Sequence, residues 1–245
     1  MLVILVVVSV FQWQLYRLLT TRLLHEFMSC LQRFELYVSV DGLVAYDVRQ
    51  GDRRGTDLDF FDYTYDGAVV AGGDRLVGGL GQLTDGHDGA SNFRQHDGSG
   101  GGGRRGYEWV GWKSSEYSGD DDEYVEMTFH FDDERNFTSV SFHVNNAFSR
   151  DVRVFRAAVF SFERRRSAMT SLPVPVEFRY ERDDVMEYAR HVTVPLQHGV
   201  GQRIAARLYF DGRWIMISEV QFQSGERIDP LKGRGVNWLH FATQV

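Results

Sequence analysis

The sequence predicts an all-β protein, namely an antiparallel jelly roll or β-barrel of about eight strands with a short N-terminal helical or signal-like segment. Three observations support this fold class. Apolar and polar side chains alternate in several segments, turn-forming residues separate these segments, and no helical period lies between them. The 245 residues are 43% hydrophobic and 14% aromatic, which is typical of a folded globular chain.

The strands are predicted from the positions of their alternating apolar residues. In the first, Val125, Met127 and Phe129 alternate with Glu126 and Thr128. Such a pattern is typical of a strand with one face buried. The predicted strands cover residues 125–131, 140–144, 174–178, 192–196, 215–217 and 220–222, which makes six or more strands in all. The only helical pattern in the chain lies at 15–31.

The first ten residues, MLVILVVVSV, are apolar or small. Their length fits a secretory signal, but no basic residue precedes them and no small-residue cleavage pattern follows. Extension to the roughly 20 residues of a membrane span would include Gln12, Gln14 and Arg17. A signal peptide, a signal anchor and a buried amphipathic helix therefore all stay open for this segment.

Charge and cysteine content exclude two classes of function. The chain has 27 basic and 34 acidic residues, a formal net charge of -7, so it lacks the positive field that would hold a nucleic acid. Cys30 is the single cysteine, so neither an intrachain disulfide nor a cysteine-based zinc site can form.

Two segments are predicted to be solvated loops. Residues 96–106 are glycine-rich but lack the lysine of a phosphate-binding loop. Residues 118–123, SGDDDE, lack the glycine and glutamate spacing of an EF-hand. No complete nucleophile elbow, zincin helix or dinucleotide fingerprint occurs in the sequence, so no catalytic residue is assigned.

Several motifs occur in a specific order along the chain. They are GLGQLTDG at 79–86, YEWVGW at 107–112, RNFT at 135–138, HVNN at 143–146, HVTVPL at 191–196 and WIMISEVQF at 214–222. Over residues 40–224 this series resembles the discoidin-like domain of the discoidin domain receptors, which are collagen-activated receptor tyrosine kinases. Residues 30–37, CLQRFELY, resemble the closing strand of the discoidin domain that precedes it.

The resemblance implies a membrane-proximal ectodomain module with a jelly-roll fold. Its implied divisions are a signal-like segment plus a remnant of the preceding domain at 1–39, the jelly roll at 40–224 and a tail at 225–245. In that family the preceding domain binds collagen, a transmembrane helix follows the module, and a tyrosine kinase lies inside the cell. The chain contains neither the collagen-binding domain nor the kinase, so we expect a non-enzymatic fragment, truncated isoform or incomplete gene model.

The same resemblance implies where this chain acts and with what. We expect it on the extracellular side of the plasma membrane or secreted, in a glycoprotein of cell–matrix adhesion. Collagen would be a partner only through the missing neighbouring domain, and a receptor dimer would supply a second copy. Nucleic acid is not expected as a partner.

Some positions depart from the family pattern. The family has cysteines where this chain has Val144 and Ala206, and the resemblance implies that those two cysteines form a disulfide there. A third family cysteine is replaced here by Phe160. We expect packing to replace the bridge in this chain.

The GLGQLTDG segment has features of a cation-binding turn. Gln82 and Asp85 offer side-chain oxygens beside glycines, which suits a hard cation if another acid such as Glu219 contributes. The alternative is an uncharged turn in which Asp85 caps backbone N–H groups.

The resemblance implies a structural Ca²⁺ whose matching ligand positions are Gln82, Asp85, His87, Tyr107, Trp109, Ser218 and Glu219. A further family ligand, an asparagine, is replaced by Phe61, and neighbouring Asp62 is expected to substitute for it if the register shifts.

Two further expectations concern the surface. Asn136 begins the only N-x-[ST] sequon, and it is expected to carry a glycan between two strands. A second function class, a secreted carbohydrate- or matrix-binding jelly roll acting alone, would need exposed tryptophans. Trp109 and Trp112 are expected to be buried instead.

Overall fold

The computed structural model describes residues 42–56, 58–70, 72–94, 108–115, 123–164 and 174–225. These residues form eleven strands and two short 3-10 helices, so the prediction of an all-β fold is confirmed. Eight of these strands are at least four residues long, in agreement with the predicted number. The predicted helical or signal-like segment and the glycine-rich loop lie outside the described residues. Within the described part of the chain, no helix has the length and apolar character needed to cross a membrane.

The described residues form the following elements in chain order. They are β1 (Leu43–Arg49), β2 (Arg53–Arg54), β3 (Leu58–Asp59), β4 (Ala68–Val69), β5 (Arg75–Gly79), η1 (Gln82–Thr84), β6 (Val110–Lys113), β7 (Tyr124–Val144), η2 (Phe148–Arg150), β8 (Ala157–Glu163), β9 (Val176–Arg179), β10 (Arg190–Tyr209) and β11 (Trp214–Ser224).

One antiparallel sheet contains nine of these strands. Its main path runs β4-β5-β1-β7-β10-β8-β9, and β11 pairs with both β6 and β7. β10 pairs along one edge of β7, whereas the other edge is shared by β1, which pairs with 127–131, and β11, which pairs with 137–144. This change of neighbour half-way along β7 lets a single sheet fold over its own core.

The long strand β7 joins two strands that the sequence predicted separately. Buried side chains alternate at Val125, Met127, Phe129 and Phe131 and reappear with the opposite phase from Val140. The partner strand β10 carries the matching irregularity, since the register shifts between Pro195 and Gly199. A β-bulge at this point keeps the ladder continuous while the buried face changes.

The prediction that Asn136 lies between two strands is wrong. Asn136 is within β7, where its Cα is paired with that of Val200 in β10. Its backbone oxygen accepts a hydrogen bond from Gly225 at 2.8 Å. The two strands predicted on either side of the sequon are parts of the one strand β7, which continues through it.

Aromatic rings fill the core beneath β7 and β11. The Phe222 ring centroid lies 4.8 Å from that of Phe129, 5.4 Å from Phe131 and 5.8 Å from Phe137. Each such pair contributes about 0.5–1.5 kcal/mol beyond the burial of its area. These contacts fix β11 against β7 and thereby help to position Ser218 and Glu219 in the middle of β11.

The register shows where the three positions that hold cysteine in the family lie in this fold. Ala206 in β10 is paired with Phe160 in β8 and with Met127 in β7. Val144 lies at the far end of β7, where its Cα partners are Arg190 and Ile217. Ala206 is therefore opposite the third substituted position and is not a cross-strand partner of Val144.

Candidate metal centre

A turn and a strand from distant parts of the sequence form the candidate site. The short helix η1 packs against β11, which carries Ser218 and Glu219. In the loop after η1, the Gly86 N–H donates to Glu219 Oε2 at 3.1 Å and the Gly89 N–H donates to Ser218 Oγ at 2.9 Å. These two bonds hold the loop against the strand.

Close approach of the backbone requires glycine at two positions beside this loop. A Cβ on Gly81 would lie 2.6 Å from both carboxylate oxygens of Asp62 and from the hydroxyl of Tyr46. A Cβ on Gly89 would lie 2.6 Å from the Trp109 ring. Contacts this short cannot be accommodated without displacing the backbone or the ring.

Gln82 is a polar side chain without a partner in this site. It is 4% exposed, and neither its Oε1 nor its Nε2 has a hydrogen-bond partner. An unsatisfied buried polar group costs about 1–3 kcal/mol. The amide oxygen is thus free to coordinate a hard cation, as the sequence predicted for this residue.

Two carboxylates at the site repel each other. Burial, with added repulsion from Asp85 and Asp88, raises the pKa of Glu219 to about 8. Desolvation also raises the pKa of Asp85, although the hydrogen bond from the His87 N–H, at 2.9 Å, opposes that shift. A cation between the two carboxylates would offset both the burial and the repulsion.

The other predicted ligands lie at different places around this pair. The Ser218 hydroxyl lies 2.6 Å from His143 Nδ1. The exposed His87 ring approaches Asp85, with 3.3 Å between Nδ1 and Oδ1. Trp109 is buried and its indole N–H donates to the Ala90 oxygen at 3.2 Å. Tyr107 lies outside the described residues.

Phe61 contributes no ligand atom at the position of the family asparagine. Its ring instead lies 5.8 Å from that of Tyr63 and 5.6 Å from the guanidinium of Arg53. Asp62 is buried beside η1, accepts from the Gln82 N–H at 3.2 Å and accepts a short hydrogen bond from the Tyr46 hydroxyl. The carboxylate oxygens of Asp62 thus already accept hydrogen bonds from Tyr46 and Gln82. Substitution of Asp62 for the family asparagine stays a prediction.

The structure also brings together three residues that the sequence reasoning did not select. Asp88, His143 and His191 each offer a ligand atom, and all three atoms lie within 4.8 Å of one another. His143 in β7 and His191 in β10 are direct Cα partners. A signal existed in the sequence, since the HVNN and HVTVPL motifs each begin with histidine, but their pairing depends on the strand register.

The environments of the three groups differ. Burial lowers the pKa of His143, and the hydrogen bond to Asp88 raises the pKa of His191. Desolvation opposes ionisation of Asp88, but the hydrogen bond to His191 and the nearby histidines lower its pKa overall. The cluster therefore combines an ionised carboxylate with one deeply buried imidazole and one exposed imidazole.

The family is decided by a match over most of the chain. Residues 42–224 match the family model described as "Discoidin domain-containing receptor 1/2, DS-like domain". The chain belongs to the discoidin domain receptor family. The motifs on which the resemblance was based form the site, because residues 79–86 include η1 and residues 214–222 lie in β11.

Curated relatives agree with this membership in the discoidin domain receptor family. The chain is 30% identical over 187 residues to discoidin domain-containing receptor tyrosine kinase B of Caenorhabditis elegans, with 75% of this chain and 21% of that protein covered. It is 34% identical over 204 residues to epithelial discoidin domain-containing receptor 1 of Homo sapiens, with 80% and 21% covered. The chain thus spans about a fifth of the length of these relatives.

Solved structures of more distant domains are also similar to this discoidin-like domain. One is the F5/8 type C domain of a Bacteroides fragilis protein, with a TM-score of 0.36 at 7% identity, covering 49% of this chain and 74% of that one. Another is the C-terminal domain of a chitobiase from the same organism, with a TM-score of 0.34 at 11% identity, covering 49% and 75%.

Proposed function

We propose that residues 42–224 act as a non-catalytic, calcium-binding extracellular module of a collagen-receptor tyrosine kinase and support its ligand-dependent signalling. The observation that carries this proposal is the match of residues 42–224 to the DS-like domain family. The C. elegans relative is itself named a receptor tyrosine kinase. The module would lie outside the cell, as part of a membrane receptor or a secreted form.

The calcium part of the proposal is supported by three side chains of the candidate site. Gln82 has a buried amide oxygen without a partner, and Glu219 is a buried carboxylate close enough to Asp85 for repulsion. Calcium takes six to eight oxygen ligands in a flexible shell, so backbone oxygens or water would complete it. We propose that this ion fixes the η1 turn on β11.

Collagen would be bound by a neighbouring domain of the receptor, and the module would hold that domain in position. The alternative of a stand-alone carbohydrate-binding protein needs aromatic rings on which sugars stack. Within the described ranges the tryptophans are Trp109, Trp112 and Trp214, and all three are buried. The expected burial of Trp109 and Trp112 is confirmed, and no described tryptophan supports the alternative.

A domain exchange tests the proposed function. Residues 42–224 would replace the DS-like domain of the human epithelial relative, and collagen-induced tyrosine phosphorylation would be measured in cells with equal surface expression. We expect the chimera to respond to collagen, whereas a receptor from which this domain has been deleted should respond much less. In parallel, the full chain by itself should not bind triple-helical collagen in a solid-phase assay.

Two results would contradict the proposal. The first is a chimera that reaches the cell surface and binds collagen but gives no more phosphorylation than the deletion. The second is saturable binding of collagen by the chain alone, which would assign ligand recognition to this module.

A further inference from the structure

Three side chains outside the predicted calcium set meet at one end of the β7–β10 ladder. Asp88 Oδ2 lies 2.8 Å from His191 Nε2, and Asp88 Oδ1 lies 3.9 Å from His143 Nδ1. The two imidazole rings have centroids 4.7 Å apart. The loop that follows η1 supplies the carboxylate, and two paired strands supply the histidines.

These separations suit a small, tightly bound cation. With bonds of 2.0–2.1 Å, two ligand atoms on a tetrahedral metal are about 3.3 Å apart. The separations of 2.8 and 3.9 Å, measured to the two different carboxylate oxygens of Asp88, lie on either side of this value, and one ligand atom from each residue lies within 4.8 Å of the other two. Small rotations of the exposed Asp88 and His191 side chains would therefore bring all three atoms into one coordination shell.

The donor types favour a different metal from the one proposed at Glu219. Two imidazole nitrogens and one carboxylate oxygen are typical ligands of zinc and other d-block divalent cations, whereas calcium is bound by oxygen atoms. Three protein ligands leave a fourth tetrahedral position for water. The Ser218 hydroxyl, 2.6 Å from His143 Nδ1, is a nearby polar group that can reorganise when a metal takes that nitrogen.

The surroundings hold the two rings in place. Trp109 stacks on His143 with centroids 5.4 Å apart and an interplanar angle of 27°. Ser141 Oγ lies 3.4 Å from His191 Nδ1, the ring nitrogen that points away from Asp88. Ligating histidines commonly use their second nitrogen in this way, which orients the ring and sets its tautomer.

We propose that Asp88, His143 and His191 form a binding site for a d-block divalent cation such as Zn²⁺. Asp88 lies in the same loop as the proposed calcium ligand Asp85, whereas the two histidines come from β7 and β10, so the site takes none of the proposed calcium carboxylates. Metal binding would tie the loop at Asp88 to β7 and β10 in addition to β11. The site does not depend on the proposed receptor function.

Zinc binding by the full chain tests this proposal. Equilibrium dialysis against Zn²⁺ would be carried out in saturating Ca²⁺ for the wild type, D88A and H191A. Both variants alter side chains that are about half exposed, 47% and 43%, so the fold should persist and is checked by thermal melting in chelator. We expect the wild type to bind one more equivalent of zinc than either variant, or to bind it at least tenfold more tightly.

A matched control comes from a second histidine–aspartate pair. His130 Nε2 lies 3.0 Å from Asp47 Oδ2, with no third ligand grouped with it in the described residues. H130N should therefore keep the zinc affinity of the wild type. E219Q removes a proposed calcium ligand but none of the three proposed zinc ligands, so it should still bind the additional equivalent of zinc, which separates the two metal proposals.

The absorption spectrum of bound Co²⁺ tests the site in the wild-type protein, without the use of variants. Co²⁺ in a tetrahedral protein site gives intense visible absorption, and Zn²⁺ should displace it from the wild type. Equal zinc binding by wild type, D88A and H191A would overturn the proposal. A wild type that binds no zinc and shows no tetrahedral cobalt spectrum would overturn it as well.

Discussion

The backbone N–H of Gly86 donates a hydrogen bond to Glu219 Oε2 at 3.1 Å, which joins the TDG turn to β11 across 133 residues of sequence. Glu219 is 3% exposed, and it lies near enough to Asp85 and Asp88 for their charges to raise its pKa further. The Gly86 N–H and a side-chain hydrogen bond with Gln221 do not balance this concentration of negative charge. A cation bound near Glu219 would balance this negative charge.

Calcium should stabilise the wild type through Glu219 and Asp85. A ligand that binds only the folded state contributes about 2.7 kcal/mol at a free concentration of about 100 Kd. At roughly 2–4 °C per kcal/mol this corresponds to a Tm increase of ~5–11 °C. The measurement is thermal melting in calcium and in chelator, and magnesium should have much less effect because it demands a smaller octahedral shell.

Variants identify the groups responsible for that shift. E219Q should lose the calcium response yet melt no lower than wild type in chelator, since it removes a buried charge and retains an acceptor for Gly86. D85A should also lose the response. E126Q alters a β7 glutamate that forms an ion pair with Arg207 of β10, and this variant should keep the calcium response. A wild-type Tm that is the same in calcium and in chelator, with no metal found in the purified protein, would contradict the prediction.

Alanine at Gly89 should destabilise the protein. Its Cβ would lie 2.6 Å from the buried Trp109 ring, so the loop or the ring must move, at a cost of about 1–3 kcal/mol. The control is G225A, where the nearest heavy atom, the Asn136 backbone oxygen, lies 3.8 Å from the Cβ position and the effect should be within about 0.5 kcal/mol. Urea unfolding of both variants measures the difference, and equal stability of the two would refute the steric argument.

Acid should weaken the protein partly through Asp183. Hydrogen bonds from Arg190 and from the N–H groups of Val185 and Met186 lower the pKa of Asp183 to about 2. A folded-state pKa below the unfolded value, about 3.9, stabilises the folded state above that value, and this contribution is lost as pH falls towards the folded pKa. The wild type should therefore lose more stability than D183N between about pH 4 and pH 2.

Melting curves recorded across that pH range test the acid prediction. D74N, which alters an aspartate just before β5, serves as the control and should lose stability as the wild type does. A D183N variant whose Tm falls in parallel with that of wild type would show that the Arg190 contact contributes nothing to acid sensitivity.

Asn136 should carry one N-glycan when the chain passes through a secretory pathway. The sequon lies inside β7, and Thr138 is exposed there while the Asn136 Oδ1 is buried without a partner. Glycosidase treatment of secreted material should increase its gel mobility, and T138A should remove the shift. Secreted wild type with unchanged mobility would show that the continuous strand prevents modification.

Local patterns were sufficient to predict much of the fold. The alternation at Val125, Met127 and Phe129 indicated a half-buried strand, and Val140 with Phe142 indicated another, and both are observed. The sequence did not predict that these two segments form the single strand β7. The buried side chains change from odd-numbered to even-numbered positions before Val140, and in a sequence such a change resembles a turn between two strands. The compensating irregularity lies in β10, between Pro195 and Gly199.

The candidate site was predictable only in part. Gln82 and Asp85 lie in one turn-rich motif, so their chemistry can be read locally, whereas Glu219 was only a candidate for the additional acid until the family resemblance matched it to a ligand position. The Asp88 cluster was missed because each of its members has an ordinary local context. His143 and His191 become neighbours through the pairing of β7 with β10.

The sequence alone determined the all-β class, most strand positions, the acidic net charge and the family, because alternation, composition and motif order are properties of the chain itself. The tertiary structure decided which side chains meet. Strand register and the packing of η1 on β11 set the distances from Gly86 to Glu219 and from Asp88 to His191. A shift of one residue in either ladder would turn these side chains to the opposite face, so the physical origin of both candidate sites is the register.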